Sequence, residues 1–202
     1  SLSWASSAVI EGGLAKIDSE DMERVLVSSV YGARFGIEDE AFNLSGSTRP
    51  EDLLTQMQVL AAFATEPGWR PEALQRMRTY AATLGDQYEA TDSGVLNREL
   101  SGLLHGGDRR WTWPSKTDIA GASPEGLKRS FGDALTGGPV EVVIVGDITV
   151  EKAIQAVAAT FGALPKRPEV PGAVTGKTGF PTAGQQPTVL THNGRDDKAT
   201  AF

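Results

Sequence analysis

The chain contains no cysteine and only two histidines, His105 and His192. The first absence rules out disulfides, cysteine nucleophiles and thiolate zinc sites. The scarcity of histidine leaves a metal centre short of ligands, because zinc needs several imidazole or carboxylate groups brought to one point. No apolar run reaches the roughly 18 residues needed to cross a bilayer, and the first residues lack the basic-then-apolar layout of a signal peptide. Positive charge is also in deficit. With 26 carboxylates against 19 Lys and Arg, the net charge of −7 repels nucleic-acid backbones and anionic membranes. What remains is a chain of 202 residues with an ordinary apolar fraction of 40%, enough for one generous domain with a real core.

The stretch from Pro139 to Pro168 organises the reading. Val140, Val142, Val143, Ile144 and Val145 make a nearly continuous β-branched run stopped by Gly146 and Asp147, the pattern of a central strand buried on both faces. Thr149 then caps a helix whose Val150, Ile154, Val157, Ala158 and Phe161 form one apolar stripe expected to lie against the sheet. Gly162, Pro165 and Pro168 end it.

Upstream, residues 2–11 carry Leu2, Trp4, Ala5, Ala8 and Val9 on a helical face, halted by Gly12 and Gly13. Asp18 or Ser19 caps a helix burying Met22, Val25 and Leu26. Residues 33–37 and 41–45 read as a hairpin around the acidic turn Glu38-Asp39-Glu40. Thr48-Arg49-Pro50-Glu51 has capping-box spacing before a helix through Leu53, Leu54, Met57, Leu60, Ala61 and Ala64. A second long helix begins around Trp69-Arg70-Pro71-Glu72 and reaches Leu84 or Tyr88, a shorter one spans 95–104, and Ser123-Pro124-Glu125 caps another through Leu127, Phe131 and Leu135. Together these predict a two-layer α+β domain. From about Glu169 to Gln186 the chain is Gly, Pro, Thr and Ala without periodicity, a linker composition. Residues 187–190 and 199–202 read as strands that open a following domain.

Each chemical candidate has a plainer explanation. Gly172 to Thr178 imitates a phosphate-binding loop but has one residue too few between its glycines and follows no strand. His105 precedes Gly106-Gly107 and reads as a helix-end residue near the negative dipole end, while His192 reads as a turn residue. Ser45 and Ser47 lack the Gly-x-Ser-x-Gly pattern of a nucleophile elbow. The carboxylate pairs Glu38/Glu40 and Glu51/Asp52 fall at a turn and a helix start. Arg110, Trp111 and Trp113 are candidates for contact with a peptide or a neighbouring domain, with internal anchoring of an aromatic turn as the plainer account.

Several segments in order resemble a half-domain of the pitrilysin/insulinase family of zinc metallopeptidases, the inverzincins that include the mitochondrial processing peptidases. These are Phe42-x-Leu-Ser-Gly-Ser-Thr-Arg-Pro-Glu-Asp-Leu53 leading into a helix, Pro67-Gly-Trp-Arg-Pro-Glu72 leading into the next, Trp113-Pro-Ser-x-x-Asp-Ile119 before Ser123-Pro124, and Val145-Gly-Asp through Leu164-Pro165. The resemblance spans about residues 1–167 and implies a largely antiparallel sheet packed by helices, of the metallopeptidase LuxS/processing-peptidase-like kind. It divides the chain into a half-domain at 1–167 that lacks its N-terminal strand, a linker at 168–186, and the start of a following half-domain at 187–202.

Active half-domains of the family carry His-x-x-Glu-His, in which two imidazoles one helical turn apart bind zinc and the glutamate serves as general base. Trp4, Ser7 and Ala8 stand where the first histidine, the glutamate and the second histidine would be, and no histidine occurs before His105. The distant glutamate ligand would fall at residues 84–86, where Leu84, Gly85 and Asp86 stand. The resemblance thus implies a non-catalytic half-domain, itself without a cofactor, from a larger bacterial protein. It would pack against a zinc-bearing half-domain of the same polypeptide or of a paired subunit, enclose a peptide substrate, and take part in proteolysis by the parent. The alternative reading is a peptide-binding or assembly module whose parent has no protease activity. The resemblance favours a periplasmic or other extracytoplasmic location.

Overall fold

The computed structural model describes residues 3–38, 41–169, 179, 184 and 186–201. The architecture is mixed α+β, with many helices and a small antiparallel sheet. Two compact units divide the chain, one built from residues 5–74 and 123–173, the other from residues 1–4, 75–122 and 174–202.

A 3₁₀ turn at Ser3–Ala5 precedes the first unit's short helix α1, Ala8–Glu11, and α2 follows at Ser19–Val25. Asp18 caps α2 as its sequence predicts, its side chain accepting from the Asp21 amide at 2.8 Å. The hairpin also forms. Strands β1, Arg34–Ile37, and β2, Phe42–Ser45, pair antiparallel with Phe35 opposite Leu44 and Ile37 opposite Phe42. Helix α3, Leu53–Thr65, packs against β2 and buries Met57, Val59, Phe63 and Ala64. Met22, Val59 and Phe63 form the centre of the core, with Leu14, Ile17, Tyr31 and Leu44 around it. A second cluster joins the hairpin to α7, Pro124–Thr136: Phe35, Phe42 and Phe131 meet edge to face, with ring centroids 5.2–5.7 Å apart. Gly13 is needed where the chain turns after α1. It sits at φ 64°, and a Cβ there would lie 2.6 Å from the Asp18 carbonyl carbon. Arg70 fastens this turn by donating to the Gly12 and Leu14 carbonyls.

The second unit holds most of α4, Pro71–Glu89, which begins in the first unit, together with α5, Asp92–Leu104, and α6, Lys116–Gly121. Thr91 caps α5, so that helix starts three residues before Val95. Helix α6 was not anticipated at all. It is set by a reciprocal capping box, Ser115 Oγ accepting from the Asp118 amide and the Asp118 carboxylate accepting from the Ser115 amide.

Four expectations from sequence are corrected. Residues 140–145 join no strand ladder among the described residues, and their exposure alternates, with Glu141, Val143 and Val145 exposed and Val142 and Ile144 half-buried. A β-branched run favours extended backbone but does not supply a pairing partner, so the segment is not a central strand buried on both faces. Helix α8, Val150–Ala158, is capped by Thr149 as expected, yet its stripe does not lie under a sheet: Val150 and Ile154 are 69% and 62% exposed. Thr48 does not cap α3. Its hydroxyl donates to the Val30 carbonyl at 2.5 Å while Asp52 accepts from the Val30 amide at 2.8 Å, and a 3₁₀ turn at Pro50–Asp52 leads into the helix instead. Finally, residues 187–190 and 199–201 form no strand among the described residues, since no partner strand pairs with them. The tip of the acidic turn, Asp39 and Glu40, the phosphate-loop look-alike at 172–178 and most of the 168–186 linker lie outside the described residues.

Candidate functional site

Two regions bear on function, and the first is the chain around α1. Trp4 lies in the opening 3₁₀ turn, Ser7 occupies the N-cap of α1 without making a side-chain cap, and the methyl of Ala8 is buried. An indole, a hydroxyl and a methyl offer neither imidazole nor carboxylate to a metal. Among the described residues no group of three or more His, Asp or Glu side chains could hold a metal ion. The residues present do not fit zinc, so no hydrolytic step is derived for this chain. A Cβ on Gly85 would lie at ordinary contact distance, 3.5 Å, from the Trp113 indole nitrogen, and Asp86 pairs with Lys116 at 3.0 Å.

The second region is the aromatic turn after α5. His105 ends α5, its Nδ1–H donating to the Ser101 carbonyl at 2.7 Å, and its ring stacks on Trp111 with centroids 4.1 Å apart. Arg110 is held by Asp108 through Nε and Nη2 at 3.1 and 2.7 Å. That guanidinium, with the Arg110 amide, holds the Asp108 carboxyl down at about 2. Trp113 meets Tyr88 edge to face at 5.2 Å. Beside it lies a cavity of about 260 Å³ lined in part by Gly85, Glu89, Arg98, Trp113 and Lys116. Its cations are already engaged: Arg98 bonds Glu89 at 2.8 Å and Glu99 at 2.6 Å, and Lys116 bonds Asp86. Arg110, Trp111 and Trp113 each make contacts within their own unit. His192 is also a turn residue; its Nδ1 accepts from the Gly194 amide, leaving Nε2–H to donate to the Lys198 carbonyl.

Sequence reading missed Gln56 and Arg167. Gln56 is 4% exposed and clamps both backbone groups of Gly32. Arg167 binds three carbonyls at the end of α7. Each acts on backbone distant in sequence, and no local pattern announces that.

No family model matches the chain, and no curated protein matches it in sequence. Solved structures do match it. The M16 peptidase inactive domain from Pseudomonas fluorescens aligns over 89% of this chain with 18% identity and a TM-score of 0.68. The periplasmic protease PqqL from Escherichia coli aligns over 95% with 17% identity and a TM-score of 0.68. The fold is that of a pitrilysin-type (M16) peptidase half-domain. A third match, the ferredoxin protease FusC in complex with Arabidopsis ferredoxin, aligns over 88% with 18% identity and a TM-score of 0.67. At such identities the likeness is one of fold. The chain spans 44%, 21% and 19% of the length of these three, so each is a larger protein in which this fold is one part.

Proposed function

We propose that this chain is a non-catalytic, substrate-enclosing domain of a zinc-dependent metalloendopeptidase. In this reading it is a two-layer half-domain of the processing-peptidase type, paired with another half-domain that carries the insulinase-type zinc motif, in the same polypeptide or in a second subunit. The observation that carries the reading is the match to an M16 inactive domain over most of this chain, combined with the lack of any metal ligand at Trp4, Ser7 and Ala8. Its chemical role is then to wall a chamber and hold an unfolded peptide while the partner domain supplies metal and base. We place the parent in a bacterial extracytoplasmic compartment, a location supported by the periplasmic protease among the matching structures.

The test is peptide hydrolysis by this chain and by the intact parent polypeptide in parallel, with zinc added or chelated. Chelator-sensitive cleavage by the parent and none by the chain alone is expected. Zinc-dependent cleavage by the chain alone would overturn the reading. Silence from both would transfer the protein to the alternative, a peptide-binding or assembly module.

A further inference from the structure

Of the three asparagines in the chain only Asn193 precedes a glycine, and no aspartate does. In an Asn-Gly pair no side chain on the second residue shields the peptide nitrogen, which can attack the neighbouring carboxamide and close a succinimide ring. Packing fixes this glycine. A Cβ on Gly194 would lie 2.2 Å from the Ala90 carbonyl oxygen, so the position accepts no shielding side chain.

The pair lies in a segment seated on the turn between α4 and α5, all within the second unit. The Asn193 amide donates to the Glu89 carbonyl at 2.7 Å, and the Thr200 hydroxyl donates to the Asp92 carboxylate. His192 is held in the same segment in one tautomer. The Gly194 amide can only donate, so Nδ1, 3.0 Å away, accepts; the Lys198 carbonyl can only accept, so Nε2, also 3.0 Å away, carries the hydrogen. An imidazole lone pair is therefore aimed at the proton that must leave before the Gly194 nitrogen becomes a nucleophile. In an unfolded Asn-Gly sequence hydroxide from solvent takes that proton, whereas here folding positions a base for it.

We propose that Asn193 is a self-modification site, deamidated with His192 as general base. The Gly194 nitrogen bonds to Asn193 Cγ as its proton passes to His192 Nδ1. The imidazolium returns that proton to the carboxamide nitrogen as the bond from that nitrogen to Cγ breaks, and ammonia leaves. Water then opens the succinimide at one carbonyl or the other, giving aspartate or isoaspartate. Isoaspartate lengthens the backbone by one carbon beside Gly194, where the Ala90 carbonyl leaves no room, so the segment comes off the α4–α5 turn. The chemistry needs only these consecutive residues and water, and it does not depend on the protease reading.

The 202-residue chain is incubated at neutral pH, folded and in guanidinium chloride, and isoaspartate is located by peptide mapping with mass spectrometry. It should accumulate at residue 193, and about tenfold faster or more in the folded chain, a conservative share of what a positioned base supplies. His192→Gln should remove that excess. Added imidazole should speed His192→Ala more than it speeds the wild-type chain, a response that a merely structural role would not give. In the aged chain hydrogen exchange should quicken at residues 193 and 194, whereas Asn193→Gln, whose longer side chain closes the ring poorly, should keep its ammonia and its slow exchange. Equal rates in the folded and unfolded chain, a His192→Gln chain that deamidates as fast as wild type, or isoaspartate confined to other positions would overturn the proposal. Unchanged exchange at residues 193 and 194 after deamidation would overturn the release of the segment.

Discussion

Gln56→Leu is the perturbation whose cost the structure specifies most directly. The Gln56 side chain is 4% exposed and behaves like one residue of a missing strand. Its Nε2 donates to the Gly32 carbonyl at 2.7 Å, and its Oε1 accepts from the Gly32 amide at 2.8 Å. This holds the chain just before β1 against α3. Leucine conserves volume and removes both bonds. Each is worth ~1 kcal/mol net, and stranding the two half-buried peptide groups of Gly32 adds ~1 kcal/mol more, for a total of about 3 kcal/mol. For a chain of this size that lowers Tm by roughly 6–12 °C. Urea unfolding followed by circular dichroism measures it. Gly46→Ala provides the cross-check, because a Cβ at Gly46 would lie 2.0 Å from the Gly32 oxygen and 2.6 Å from Gln56 Nε2, forcing the same contact apart. The two substitutions should therefore be strongly sub-additive. A Gln56→Leu chain within about 0.5 kcal/mol of wild type, or simple additivity with Gly46→Ala, would refute the reasoning.

Two further outcomes are expected elsewhere in the chain. Asp108 is held at about 2 by the Arg110 side chain and amide, below the ~3.9 of an unfolded aspartate. A depressed carboxyl contributes stability that is present above about pH 4 and is lost as pH falls toward 2, so Asp108→Asn should flatten that acid limb. A carboxyl ¹³C titration midpoint near 4 for Asp108 would sink the assignment. On α8, Val150→Ser and Ile154→Ser should each change the stability of the chain by no more than about 0.5 kcal/mol, because both side chains are mostly exposed. Losses of ~1.5–3 kcal/mol, the worth of a fully buried aliphatic side chain, would mean that the stripe is covered.

The sequence by itself determined the features whose causes are local. The Asp18, Ser123 and Thr149 caps each bond an amide three residues on, and the hairpin at 34–45 follows from alternation around a short turn. That Trp4, Ser7 and Ala8 carry no metal-ligating group is likewise read from the sequence alone, because ligand chemistry is a property of residue type. Local signals also misled where a side chain had a stronger distant partner: Thr48 has the spacing of a cap and instead bonds Val30. Only the tertiary structure decided what each apolar surface meets. The β-branched run at 140–145 and the stripe on α8 read as buried, yet burial depends on a partner strand that no local pattern supplies. The same holds for Gln56 and Arg167, whose roles rest on carbonyls 24 and about 30 residues away along the chain. Periodicity and caps act over one helical turn, whereas pairing and anchoring act between segments that only folding brings together.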